Sequence, residues 1–156
     1  AGYANGLTIN LDLPPIAYAT NSGEFIAASL AKVGIKVNLK PIAWGEWIDR
    51  VFTKKDYDMT IVCHIESNDM AIYANPAYYF GYNSTTYQGL IKKAASAKTQ
   101  AARVENLKKA ARVLANDSVS DWLWLIPNLQ VAKKTISGIP LNTVGDAYTV
   151  DRITVG

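Results

Sequence analysis

Asn21–Cys63 reads NSGEFIAASLAKVGIKVNLKPIAWGEWIDRVFTKKDYDMTIVC, and the changes of hydrophobic period within it decide the fold. In Glu24–Val33, Ile26, Leu30 and Val33 fall at i, i+4 and i+7, one stripe of an α-helix. Asn21 or Ser22 is placed to cap its start and Gly34 to end it. Ile35, Val37 and Leu39 then alternate with Lys36, Asn38 and Lys40 as far as Pro41, the pattern of a strand with one face buried. From Trp44 the helical period returns, with Trp47, Ile48, Val51 and Phe52 completing a stripe that ends near Lys54-Lys55, cations suited to a helix C-terminus. Met59–Cys63 is short, apolar and rich in β-branched residues, which predicts a strand buried on both faces with Cys63 as a small core residue.

Upstream, Leu7–Leu13 alternates between Gly6 and Pro14-Pro15 and reads as a first strand. Three strands joined by two helices predict a parallel sheet with right-handed crossovers. Ligands of open parallel sheets bind beyond the carboxyl ends of the strands, which selects the loops Pro14–Asn21, Pro41–Trp44 and His64–Tyr82. The third is the longest, and a connection of roughly 20 residues usually carries function or a short helix of its own. A helical turn is expected over Asp69–Tyr73. Downstream, Tyr87, Leu90, Ile91, Ala94 and Ala95 form a helical stripe behind Ser84, Thr85 and Thr86. A second helix from Thr99 carries Val104, Leu107, Ala111 and Leu114 on one face and a Glu105–Lys109 pair on the other. Asp121–Ile126 is an apolar run closed by Pro127. Leu129–Ala132 reads as a strand, Lys133-Lys134 and Ser137-Gly138 mark a turn, and Tyr148–Val155 reads as a last strand leading out.

The 156 residues suit one α/β domain spanning 1–156, able to bury roughly two thirds of its unfolded surface. With one cysteine there is no intramolecular disulfide. The net charge of +3 is mild, and no basic cluster interleaves with aromatics as a nucleic-acid groove requires, so no nucleic-acid partner is expected. No apolar run approaches the roughly 20 residues that span a bilayer. There is no charged-then-apolar leader at the start, so the chain is expected to begin as a mature protein or partway through a larger one. Four Trp and nine Tyr are many for this length and suit half-wet surfaces as well as cores.

His64, the only histidine, follows Cys63 at the mouth of the third strand. Adjacent strand residues point to opposite faces, which argues against a Cys-His nucleophile pair. Read as metal ligands, His64, Glu66 and Asp69 match no specific spacing, and a borderline metal ordinarily takes more His or Cys, so neither a metal nor another cofactor is expected. His64, Glu66, Ser67, Asn68 and Asp69 are instead read as polar groups at the sheet edge that hydrogen-bond a ligand, in preference to a merely solvated loop. Tyr73, Tyr78, Tyr79, Phe80 and Tyr82 supply either an aromatic wall for that ligand or a lid over the domain's own core. GxGxxG, a phosphate-cradling loop, GxSxG and paired carboxylates of one cleft are all absent from the sequence.

Leu30–Val37, Trp44, Asp49-Arg50-Val51-Phe52 and Asp56-Tyr57-Asp58-Met59 resemble the extracytoplasmic solute-binding proteins of ABC importers, in the dipeptide, oligopeptide and nickel class. Ala1–Leu7, Ala111–Ala115 and Ile126-Pro127-Asn128 are similar to the same class. The resemblance implies one lobe of a two-lobed, type II periplasmic-binding-protein-like fold, a mostly parallel sheet flanked by helices, with this chain matching the C-terminal-side lobe. It implies a binding protein and not an enzyme. A peptide or other small solute would be closed between the lobes and handed to a membrane permease. The protein is expected to be a monomer and to be periplasmic, or extracytoplasmic and lipid-anchored in a Gram-positive cell. The family's third strand usually exits through Gly-Trp and then an Asp that holds a peptide's amino group. Here Cys63-His64 stands in that place and Ser67 follows, flanked by Glu66 and Asp69. A carboxylate of Glu66 or Asp69 would then hold an amine, and a ligand other than a linear peptide is equally open. The expected solute contacts are His64, Glu66, Ser67 and Asp69, with Tyr79 and Tyr82 as aromatic walls. Two other readings stand beside this one: a small hydrolase-like enzyme using His64 with Glu66 or Asp69, and a module presenting the tyrosine loop to a protein.

Overall fold

The computed structural model describes residues 2–3, 6–64, 66, 68–125, 127, 129–140 and 150–156. Its centre is a parallel sheet in which β1 (Leu7–Leu13) lies between β2 (Ile35–Pro41) and β3 (Met59–Thr60). β1 and β2 pair along their whole length, from Leu7 opposite Ile35 to Leu13 opposite Pro41. β3 meets β1 only at Leu11 and Asp12. The crossover from β1 to β2 is α1 (Ala17–Ala31), and α2 (Trp44–Glu46) opens the crossover from β2 to β3.

α1 starts four residues before Asn21, at Ala17, behind Ile16, whose side chain makes no cap. Packing decides this. The face buried in α1 is Ala19, Ser22 and Gly23, small residues that bring the helix down onto β1. A methyl group on Gly23 would sit 2.9 Å from both terminal carbons of Leu13, so the contact is already closed. Ile26 flanks it, half-buried, whereas Val33 is 71% exposed and lies outside the stripe. A period drawn through large apolar residues passes over a helix that docks by small ones. Gly34, at φ +82°, ends the turn after α1 as expected, a conformation that costs a residue with a Cβ.

α2 runs straight into a π-helical segment, Trp47–Thr53, whose wider turn shows where the Lys54 N–H donates to the Asp49 carbonyl five residues back. The wider turn moves the stripe. Trp47 and Val51 are buried, whereas Trp44, Ile48 and Phe52 are between 40% and 51% exposed. The segment stops at Lys54 and Lys55 as anticipated.

β3 is shorter than Met59–Cys63 promised, and Cys63 is exposed and not part of the core. Beyond Thr60 the chain has left β1, which continues only one residue further, so no ladder holds 61–63. Within the long loop lies α3 (Asp69–Ile72), where a helical turn was predicted, and beyond it come the packed tandem α4 (Thr85–Ala95) and α5 (Gln100–Asn116). Ser84 and Thr99 cap these last two, each hydroxyl accepting the backbone N–H three residues on. Tyr87, Ala110 and Leu114 bury the seam between them.

Leu129–Ala132 forms no strand, and Leu129 and Val131 are almost fully exposed. A strand needs an edge to pair with, and apolar composition does not provide one. The only pairing found beyond α5 among the described residues is a short antiparallel one, β4 (Ile136–Ser137) with β5 (Thr154–Val155), so the predicted last strand exists at its end. Ile126 and Asn128, and Tyr148 within the predicted tail, lie outside the described residues. No helix among the described residues is long and apolar enough to cross a membrane.

Candidate functional site

The carboxyl end of the sheet is set by a buried ion pair. Asp12, the sixth residue of β1, is fully buried, and its Oδ1 accepts a 2.7 Å bond from Arg50 Nη2 in the π-helical segment. The guanidinium also donates to the Asp56 carbonyl at 3.1 Å and lies 3.4 Å from Glu46 Oε1. The bond to Asp12 is the main reason that the Arg50 pKa is raised. Beside it the Trp47 indole N–H donates to Thr60 Oγ1 at 2.9 Å, and the Thr60 hydroxyl donates to the Asp12 carbonyl at 3.0 Å. These bonds lock the π-helical segment across β1 and β3.

Trp47 then meets the long loop. Its ring stands edge-on to Tyr79, 5.5 Å between centroids, and Phe52 lies 5.4 Å from the same tyrosine. The Tyr57 hydroxyl donates to the Tyr79 carbonyl at 3.1 Å. Tyr79 is therefore a buried pillar, 4% exposed, and burial drives its pKa far upward.

His64 is built on this pillar. Its Nε2 is 2.8 Å from Tyr79 Oη, and the two rings are stacked, inclined by 10°. Phe80 contacts the imidazole edge at 5.5 Å. The other ring nitrogen, Nδ1, is 3.1 Å from Glu66 Oε2. Asp69, first residue of α3, completes the group: one donor atom from each of His64, Glu66 and Asp69 lies within 4.8 Å of the others. Asp69 Oδ1 is buried without a hydrogen-bond partner. Burial, then the neighbouring charge of Glu66, raises the Asp69 pKa, and His64 opposes the shift.

Of the six expected contacts, His64, Glu66, Asp69 and Tyr79 come together. Ser67 lies outside the described residues. Tyr82 is engaged elsewhere: its hydroxyl donates to Asp117 Oδ2 at 2.6 Å and its ring packs on Tyr87, on the α4–α5 side. Tyr79 is present as a support for His64 and, at 4% exposure, offers little wall to a solute. The half-buried Tyr78, 5.1 Å from Tyr79 and 6.2 Å from His64, is the tyrosine with surface to give. The Asp12–Arg50 pair was not anticipated, although an Asp amid the apolar alternation of Leu11 and Leu13 is its signal.

Comparison with known proteins places this geometry in a fold. The fold is type II periplasmic-binding-protein-like, a parallel sheet flanked by helices. It is similar to the dipeptide binding protein from Pseudoalteromonas sp. SM9913 solved with Met-Leu: TM-score 0.69, 15% identity, 100% of this chain and 34% of that one. It is similar to the pheromone receptor PrgZ, solved for its mode of peptide binding: TM-score 0.67, 22% identity, 100% of this chain and 31% of that one. It also matches the ABC transporter-associated periplasmic binding protein DppA from Helicobacter pylori in complex with the peptide STSA: TM-score 0.61, 21% identity, 76% of this chain and 25% of that one. The chain thus spans between a quarter and about a third of the length of these three proteins. No family model matches it, and no curated protein matches it in sequence. Two of these three solved proteins are binding proteins by name, and the third is a receptor described by its mode of peptide binding.

Proposed function

We propose that this chain is one lobe, 1–156, of a solute-binding component of an ABC importer, and that the protein closes on a peptide or other small solute without covalent chemistry. The observation that carries the reading is the His64–Glu66–Asp69 group at the carboxyl edge of a parallel sheet, where open α/β folds take their ligands. The likeness of fold to three peptide-binding proteins supports it. His64, Glu66, Ser67 and Asp69 give the polar contacts and Tyr78 the aromatic wall, with Tyr79 holding His64 in place. A second lobe closes the cleft, and the closed state is the one that a membrane permease recognises. Such a component works as a monomer outside the cytoplasmic membrane, in the periplasm or lipid-anchored on a Gram-positive cell.

Native mass spectrometry of the protein purified without denaturation tests this. A reproducible co-purified small molecule is expected, and its mass separates a short peptide from another solute. Repeated purification with no bound molecule, together with turnover of any hydrolysable candidate and a bell-shaped pH–rate profile, would replace the reading with an enzyme using His64 as base.

A further inference from the structure

We propose that His64, Glu66 and Asp69 form a binding site for a first-row divalent cation, zinc being the type. The first support is convergence. One donor atom from each residue lies within 4.8 Å of the other two, and His64 Nδ1 is already 3.1 Å from Glu66 Oε2. Ligands about 2.1 Å from a shared tetrahedral ion stand roughly 3.4 Å apart, so small side-chain rotations close the set. The second is the setting of the imidazole. A metal-bound histidine gives one nitrogen to the ion while a hydrogen bond on the other fixes the ring. Here Nε2 is held at 2.8 Å by the hydroxyl of buried Tyr79, which leaves Nδ1 facing the carboxylates. The third is Asp69 Oδ1, buried beside this group with no hydrogen-bond partner, a costly arrangement that a cation bond would relieve.

One imidazole and two carboxylates suit a borderline ion such as Zn²⁺ better than Ca²⁺, which takes oxygen ligands only. Three protein ligands leave at least one coordination position open. The inference goes beyond the solute-binding reading: it stands on this chain's own donors and requires no solute.

Because His64 is the only histidine, its ring resonances are unambiguous in an NMR spectrum. The protein, stripped with EDTA, is titrated with zinc chloride and followed by long-range 1H–15N NMR and by calorimetry. One equivalent is expected to shift Nδ1 while Nε2 keeps its proton. His64→Ala, Glu66→Gln and Asp69→Asn should each weaken binding at least tenfold, and Tyr79→Phe by roughly 10- to 100-fold, as loss of an outer-shell partner does. Cys63→Ser should bind as the wild type does. Circular dichroism checks that each variant is folded, and the NMR titration needs no variant. An imidazole unmoved by excess zinc overturns the proposal. So does zinc affinity that survives both carboxylate changes, or that disappears in Cys63→Ser, which would place the ion on the exposed thiol. A co-purified solute with no zinc response would sink this inference alone, whereas a zinc response in a protein that carries no solute and turns over a hydrolysable candidate would sink the solute-binding reading alone.

Discussion

Replacing Arg50 by methionine is expected to be among the most damaging single changes in the chain. The Asp12 side chain is fully buried and that of Arg50 is 25% exposed, with 2.7 Å between their charged atoms. Asp12 Oδ2 already has no partner, so Arg50 is the compensation for this carboxylate. Removing one member of a buried pair costs about 3–5 kcal/mol. The partial exposure of Arg50 places this case near the lower end, about 3 kcal/mol, which is roughly a 150-fold loss in the folding equilibrium. For a domain of this size that lowers the melting temperature by about 6–12 °C. Urea unfolding followed by tryptophan fluorescence measures it, with four Trp in the chain as reporters. Asp12→Leu together with Arg50→Met removes both charges and should recover most of the loss, because paired buried charges and an apolar replacement are nearly balanced. Lys54→Met is the control. Its 2.6 Å contact with Asp49 is the shorter of the two, yet both side chains are 61% exposed, so its removal should cost under about 1 kcal/mol. An Arg50→Met cost below about 1 kcal/mol, or a double variant as unstable as the sum of its parts, would refute the reasoning.

Three further outcomes are expected. Tyr87 is fully buried, and burial pushes its pKa to about 12 from an ordinary 10.0. The stability it lends is therefore complete below pH 10 and is lost as pH rises through about 12. Tyr87→Phe, which also loses a 2.7 Å bond to the Met70 carbonyl, should be about 1 kcal/mol less stable at pH 7, and the deficit should shrink in urea midpoints taken between pH 10 and 12; a constant deficit would contradict the assignment. Gly34→Ala meets no atom within 4 Å but must adopt φ +82°, so thermal melts should show a loss of about 1 kcal/mol from backbone strain alone. Leu11→Ala, at a fully buried position of β1, should cost about 2–5 kcal/mol in the same urea assay.

The strand-helix-strand plan was legible because its devices are local. The alternation of Ile35, Val37 and Leu39, the φ +82° glycine at 34, and the hydroxyl caps at Ser84 and Thr99 all act within a few residues. What escaped depends on neighbours remote in sequence. Ala19, Ser22 and Gly23 became the buried face of α1 because β1 lies close enough to exclude larger side chains. Trp47–Thr53 widened to a π-turn, and period alone does not distinguish that from an α-turn. Cys63 and Val131 look like core residues and lie on the surface, since no strand edge reaches them. At the site, polarity and position pointed to His64, Glu66 and Asp69, and the fold gathers them. The partner of Tyr82 was not readable, because Asp117 lies 35 residues away, just past the end of α5.

The positioning of His64 is indirect throughout, and this ties the stability of the chain to the geometry of the proposed site. The imidazole rests on Tyr79, Tyr79 on Trp47, and Trp47 on Thr60, whose hydroxyl bonds the carbonyl of Asp12. Arg50, on the same π-helical segment as Trp47, closes the circuit back to the Asp12 carboxylate. A buried charge pair is weak evidence for stability, because an apolar pair could fill the same volume. What an apolar pair lacks is a hydrogen-bonded direction. The Asp12–Arg50 bond fixes where the π-helical segment sits, and with it the rotation of the Trp47 indole beneath Tyr79. The double variant, Asp12→Leu with Arg50→Met, should therefore fold about as stably as the wild type while holding His64 less well, a separation of folding from function that neither single change can reveal.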